Sequence, residues 1–272
     1  MSLLSPESLQ LFFSPTAVLA LSRVGWRQQL GRTQSYVVSD AGGESWQAAL
    51  SAVGGALKEF GCGSVRVLVS HHFVQYRVLP WRDELRGDEE YLALAQLEFA
   101  SAFGVLAKDW TVCLSDERPG VSRVAAALPS ELLAALGTAV SGAGAKLASV
   151  QTYLAGAEGL WRHRVSRHGC QWLVMHEPGR ICVAVKQDGD WRWLRHVRAD
   201  EDWVRQLPQM LVGEAMLADL DPATEQVQVF APSADAQARD ALQGLGFGLL
   251  VPANGRGFMA QRDAIFAPAW LA

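Results

Sequence analysis

The sequence predicts an α/β protein of two lobes, each opened by three antiparallel strands and a helix. The main observation is that both halves begin with a β-β-β-α block. A second observation is local. Asp188-Gly189 lies between two alternating apolar runs, the pattern of a tight hairpin.

In chain order, residues 11–13 and 17–23 read as strands broken at Ser14-Pro15-Thr16, and 35–39 as a third strand after a polar hairpin around 25–33. Trp46, Leu50, Val53 and Leu57 recur at helical spacing over 44–60, and Gly61 and Gly63 end that helix. Gly54-Gly55 inside it either weakens it or permits close packing. Residues 64–81 read as two strands separated by Ser70-His71-His72, the second ended by Pro80. Asp88 is placed to cap a helix over 88–103, with Glu89 and Glu90 in its first turn and Leu92, Ala95, Phe99 and Phe103 on its core face.

Strands are expected at 110–114 and 121–128, a helix from 129 to 140, a strand at 146–151 and a helix at 154–164. The basic, polar stretch 162–169 marks the lobe boundary. Beyond it lie strands at 172–175, 181–186 and 191–197, and a helix at 200–217 that Pro208 kinks or divides. A strand at 227–230, a helix at 233–244 and a Gly/Pro-rich tail ending in 258–270 follow. The division is residues 1–165 for the first lobe and 170–272 for the second.

Composition narrows the function. Of 272 residues half are hydrophobic and 19% charged, which suits a globular chain, and the net charge of −4 leaves no basic footprint for nucleic acid. Cys62, Cys113, Cys170 and Cys182 show no CxxC spacing, as expected of reduced thiols in a reducing compartment. No apolar run reaches bilayer length, and 1–6 lacks the charged and apolar regions of a signal peptide, so a cytoplasmic protein is expected.

Several residues together resemble a known family. They are the strand end Val78-Leu79-Pro80, the acidic helix with Glu98, the run Val124-Ala-Ala-Ala-Leu-Pro-Ser-Glu-Leu-Leu133, and Gly144-Ala-Lys-Leu-Ala-Ser-Val-Gln151. With the repeated β-β-β-α start, the chain resembles the actin-like (RNase H-like) superfamily, which implies an α+β subdomain inserted in the first lobe, here at about 64–145. Within it, the chain is similar to the assembly proteins typified by PilM of type IV pili and the cytoplasmic domain of GspL of type II secretion. The resemblance implies a non-enzymatic scaffold, peripheral to the inner membrane. Its implied partner is the tail of an inner-membrane pilus or secretion assembly protein, bound in a groove of the insert or between lobes.

The superfamily also implies a nucleotide site with an Asp-x-Gly-Ser/Thr-like turn in each lobe's first hairpin. Here the first hairpin offers only Ser14 and Thr16, and Pro15 removes an amide donor. The second offers Glu177 and Gly179. The expectation is therefore no cofactor and no catalytic residue. The alternative is an ATP- and magnesium-binding protein or small-molecule kinase with divergent phosphate loops.

Other constellations have plainer readings. His71 and His72 are adjacent and point to opposite faces of a strand, so they do not converge on one ion, and no metal site is expected. Gly244-Leu-Gly-Phe-Gly248 follows a helix and precedes a strand, the reverse of a dinucleotide loop. No nucleophile elbow occurs, although a triad assembled from distant residues stays open. Arginines alternate with apolar residues over 191–198, which makes Trp191 and Arg195 candidates for a partner face or a homodimer contact; an ordinary half-buried strand explains them as well. Tyr76, Arg77 and Trp81 are the matching candidates on the insert, with packing as the competing account of Tyr76 and Trp81.

Overall fold

The structure is a computed structural model, and it describes residues 8–24, 29–38, 46–162, 168–220 and 227–250. Strand β1 (Ser8–Phe13) is buried along almost its whole length, because it lies at the centre of a sheet covered on both faces. It pairs antiparallel with β2 (Ala17–Val24), which pairs with β3 (Gln29–Val37). Helix α1 (Trp46–Phe60) then carries the chain to β4 (Ser64–Val69), parallel to β1 from Ser8↔Ser64 to Phe13↔Val69. Gly55 of α1 lies 3.7 Å, measured from an ideal Cβ, from the Tyr36 ring, so the glycine serves close packing of helix on sheet.

The insert follows. Strand β5 (Gln75–Leu79), helix α2 (Asp88–Phe103), a 3₁₀ turn (Gly104–Asp109), β6 (Trp110–Leu114) and β7 (Arg123–Pro129) build a separate sheet of order β5-β7-β6. Tyr91, Ala95 and Phe99 of α2 pack with Leu79, Ala125 and Ala127 as its own small core. The chain returns to the first lobe through α3 (Ser130–Gly142), β8 (Lys146–Thr152), which lies parallel to β4, and α4 (Tyr153–Arg162).

The second lobe repeats the pattern. Strands β9 (Cys170–Glu177), β10 (Arg180–Gln187) and β11 (Asp190–Arg198) are antiparallel neighbours. Helix α5 (Trp203–Ala218) leads to β12 (Val227–Phe230), and α6 (Ala236–Gly244) to β13 (Gly248–Leu249). The sheets have the orders β3-β2-β1-β4-β8 and β11-β10-β9-β12-β13. Both place the third, second, first, fourth and fifth strands of their lobe side by side, so the duplication extends from element order to topology.

Alternation divides the second sheet between two cores. Trp172, Val174, Ile181, Val183 and Val185 face Trp203, Leu207 and Leu211 of α5. Leu173, Met175, Cys182 and Ala184 face the other way, into a cluster shared with Leu68, Tyr76, Tyr153 and Leu154 of the first lobe and insert. The lobes are thus joined by a continuous apolar layer.

Several expectations are corrected. The third strand begins at Gln29, not near residue 35, because the ladder to β2 carries polar residues on an exposed edge where alternation gives no signal. The two strands of 64–81 are not a pair: β4 joins β1 and β8, whereas β5 joins β7. Strand β4 accordingly joins the first sheet, helix α3 packs in the same core, and the strands of the separate three-stranded sheet lie between Gln75 and Pro129. Helix α5 is not divided at Pro208. Gly87 takes the cap position of α2, and the Arg86 N–H donates to Glu90 Oε2 at 2.6 Å. The ends predicted near residues 39 and 44, much of the boundary 162–169 and the tail with 258–270 lie outside the described residues.

Candidate functional site

The inner face of the insert, the edge of the first sheet and one corner of the second lobe enclose a groove of about 650 Å³. Val124, Ala126 and Leu128 form its apolar wall from β7, Val150 and Leu154 supply the first-lobe side, and Trp191 closes the end. Strands β6 and β8 each lie at the edge of their sheet and each contribute lining residues, Thr111 and Cys113 from one and Gln151 and Thr152 from the other. Asp116 and Glu117 bring acidic groups to the walls, and the third acid, Glu158, is paired with Lys186.

Trp191 is clamped in place. Its indole donates to Glu117 Oε1 at 3.0 Å, and Lys186 Nζ sits 4.0 Å from the ring centroid while pairing with Glu158 at 2.9 Å. A second link, Asp190 accepting from the Ser122 N–H at 2.7 Å and hydroxyl at 3.1 Å, fastens the insert to the same hairpin.

The residues predicted to recognise a partner are divided by the structure. Tyr76 and Trp191 line the groove. Arg77 and Arg195 line a separate cleft of about 190 Å³, where Arg77 lies 5.1 Å from the Phe103 ring centroid and Arg195 pairs with Glu214 at 3.4 Å. Trp81 is among the lining residues of neither; it stacks on Tyr91 and donates to Asp83 at 2.8 Å. Trp191 and Arg195 therefore do not share a face. The groove residues Val124, Leu128 and Val150 lie in runs that carried the resemblance and Leu154 opens a predicted helix, but nothing in their local sequence marked them as lining a groove.

The predicted phosphate-loop residues are each engaged in contacts of their own. The Ser14 hydroxyl donates to the Ala17 carbonyl at 2.6 Å, closing its own turn, and the Ser70 N–H donates to the Phe13 carbonyl at 3.0 Å. The Ser70 hydroxyl in turn donates to Glu177, whose other oxygen accepts from the His71 N–H at 3.0 Å. Glu177 is only 2% exposed, and burial pushes its carboxyl up to about 7, opposed by the hydrogen bonds from Ser70 and His71. His72 lies over Gly179, with Nε2 3.0 Å from the Pro178 carbonyl. Glu177 and Gly179 are thus engaged with the β4–β5 connection, while Thr16 contributes its carbonyl to the Val38 N–H at 3.0 Å.

No protein-family model matches this chain, and no curated protein sequence does. Solved structures do. The PilM–PilN type IV pilus biogenesis complex aligns with 97% of this chain and 95% of that chain, at TM-score 0.65 and 13% identity. A Bacteroides thetaiotaomicron protein with an actin-like ATPase fold and unknown function aligns over 95% of both chains, at TM-score 0.64 and 10% identity. The cytoplasmic domain of EpsL, an inner membrane component of the Vibrio cholerae type II secretion system, aligns with 98% of this chain and 95% of that one, at TM-score 0.57 and 10% identity. The chain has the actin-like ATPase fold.

Proposed function

We propose that this actin-like chain is a non-enzymatic assembly component of a type IV pilus or type II secretion-like system, and that its groove receives the cytoplasmic tail of an inner-membrane protein. The observation that carries the reading is the groove itself: apolar along its length, acidic on its walls and flanked by two strands that lie at sheet edges among the described residues. An extended segment can add to such an edge through its main chain while apolar side chains enter the groove. Cytoplasmic segments next to membrane spans are enriched in Lys and Arg, the charge that acidic walls favour. The fold shared with PilM and the EpsL cytoplasmic domain supports the same reading. Among the described residues no helix is long and apolar enough to cross a membrane, so membrane attachment through a partner is part of the proposal.

The test is a photo-crosslinking residue at Thr111, exposed on β6 at the groove. The expected product joins the chain to the cytoplasmic tail of a single-span inner-membrane protein. Crosslinks to soluble metabolic proteins alone overturn the reading.

A further inference from the structure

We propose that His71, Cys182 and His196 form a transition-metal site of the zinc class that bridges the two lobes. The three side chains come from distant parts of the chain, and their ligand atoms all lie within 4.8 Å of one another. Cys182 and His196 are direct partners across β10 and β11, so they share the face turned to the first lobe. His71 approaches from the first lobe, just beyond the end of β4.

The buried nitrogens give the cluster a chemical need. Both ring nitrogens of His71 and Nε2 of His196 are enclosed and have no hydrogen-bond partner among the described residues, and His71 and Cys182 are 0% exposed. A buried histidine kept for packing normally satisfies its ring nitrogens, since an enclosed unpaired polar group is costly. A metal ion accepts those lone pairs directly.

The geometry suits a small ion. Tetrahedral zinc with Zn–N about 2.0–2.1 Å and Zn–S about 2.3 Å sets its ligand atoms roughly 3.3–3.6 Å apart, so a pair at the 4.8 Å limit has to draw in by about 1.2–1.5 Å. Two imidazoles and a thiolate select zinc or copper over magnesium or calcium, which prefer oxygen ligands. Binding releases the Cys182 thiol proton and forms one metal–sulfur bond. Glu177 Oε1, 3.8 Å from His71 Nε2, adds a second negative charge beside the ion, so thiolate and carboxylate together offset a divalent cation. Arg180 sits nearby, donating to the His71 carbonyl at 3.4 Å. The rings of Tyr76 and Tyr153, with centroids 5.9 and 5.5 Å from that of His71, form a dry surround. With one ligand from the first lobe and two from the second, the ion holds the lobes together.

The full chain is stripped of metal and titrated with Zn²⁺ or Co²⁺, both in the native state and during refolding from urea so that entry to an enclosed site is not limiting. One equivalent is expected to bind and raise Tm, and the cobalt form to show a thiolate-to-cobalt charge-transfer band. Cys182→Ala abolishes the band with far-UV circular dichroism unchanged. His196→Gln weakens zinc by more than the roughly 10–100-fold that loss of an outer hydrogen-bond partner costs. Failure to bind one equivalent under both loading conditions overturns the proposal. So does a band that persists in Cys182→Ala, which would assign the sulfur to Cys62, Cys113 or Cys170. If Cys182→Ala does not fold, unchanged zinc affinity in His196→Gln overturns it.

Discussion

The Ser70 hydroxyl donates to the buried carboxylate of Glu177, 107 residues further along the chain. With the His71 N–H on the other oxygen, this contact locks the end of β4 to the first hairpin of the second lobe. It occupies the position where the superfamily resemblance implied a phosphate-binding turn.

That buried acid gives a signed pH dependence. The Glu177 carboxyl titrates at about 7 in the folded chain against an ordinary value of 4.5. A folded value above the unfolded one means its contribution is complete below pH 4.5 and is lost as pH rises through 7. In the metal-free chain Glu177→Gln keeps one oxygen to accept from the His71 N–H and turns its amide N–H to the Ser70 hydroxyl, without a charge, and it is expected to gain up to about 3 kcal/mol over wild type at pH 8, the gain vanishing towards pH 4. Urea unfolding of both proteins at the two pH values checks this, and a gain independent of pH would contradict it.

The same locked loop predicts the response to nucleotide. A ligand at about 100 times its Kd stabilises a native protein by about 2.7 kcal/mol. With Glu177 held by Ser70 and His71, and no amide at Pro15, magnesium–ATP is expected to leave Tm unchanged in a thermal-shift assay. A clear upward shift that requires magnesium would restore the ATP-binding alternative.

The groove's acidity predicts a charge-dependent affinity. Cys113 is exposed on β6 and lines the groove, where a substitution should alter Tm little. Cys113→Arg is expected to weaken a basic tail peptide by about tenfold, or about 1.4 kcal/mol, and Cys113→Glu to leave it unchanged or tighter. Fluorescence anisotropy at two salt concentrations measures both, and equal effects of the two variants would contradict an electrostatic role.

Asp190 holds the insert to the second lobe. Asp190→Ala removes the acceptor of the Ser122 N–H and hydroxyl, and Ser122 is 5% exposed. An expected loss of about 1–3 kcal/mol follows from the stranded donors. Denaturant unfolding measures it, and Asp190→Asn, which keeps an acceptor, should lose less.

Local chemistry was sufficient for most elements. The helical spacing of Trp46, Leu50, Val53 and Leu57, the turn at Asp188-Gly189, and the alternation along β9 and β10 are set by residues within one or two turns of each other. The left-handed backbone at Asp188 (φ 52°) and Gly189 (φ 84°) is what that dipeptide favours. The duplicated β-β-β-α order was legible for the same reason, and it carried the expectation of the fold.

Partnership between strands was not legible. A regular ladder continued from Gln187↔Asp190 would set Cys182 opposite Arg195; the shift between Val185 and Lys186 sets it opposite His196. One bulged residue turns Trp191, Leu194 and His196 to the inter-lobe side, and leaves Trp193 and Arg195 to bond Glu214. The groove likewise depends on β4 joining β1 while β5 joins β7, pairings between residues far apart in the chain. By itself the sequence determined the elements, their order and the repeat, because propensity, capping and turn chemistry act between near neighbours. Tertiary structure alone decided the groove, the Ser70–Glu177 lock and the meeting of His71, Cys182 and His196, because each depends on ladder register and on packing between lobes.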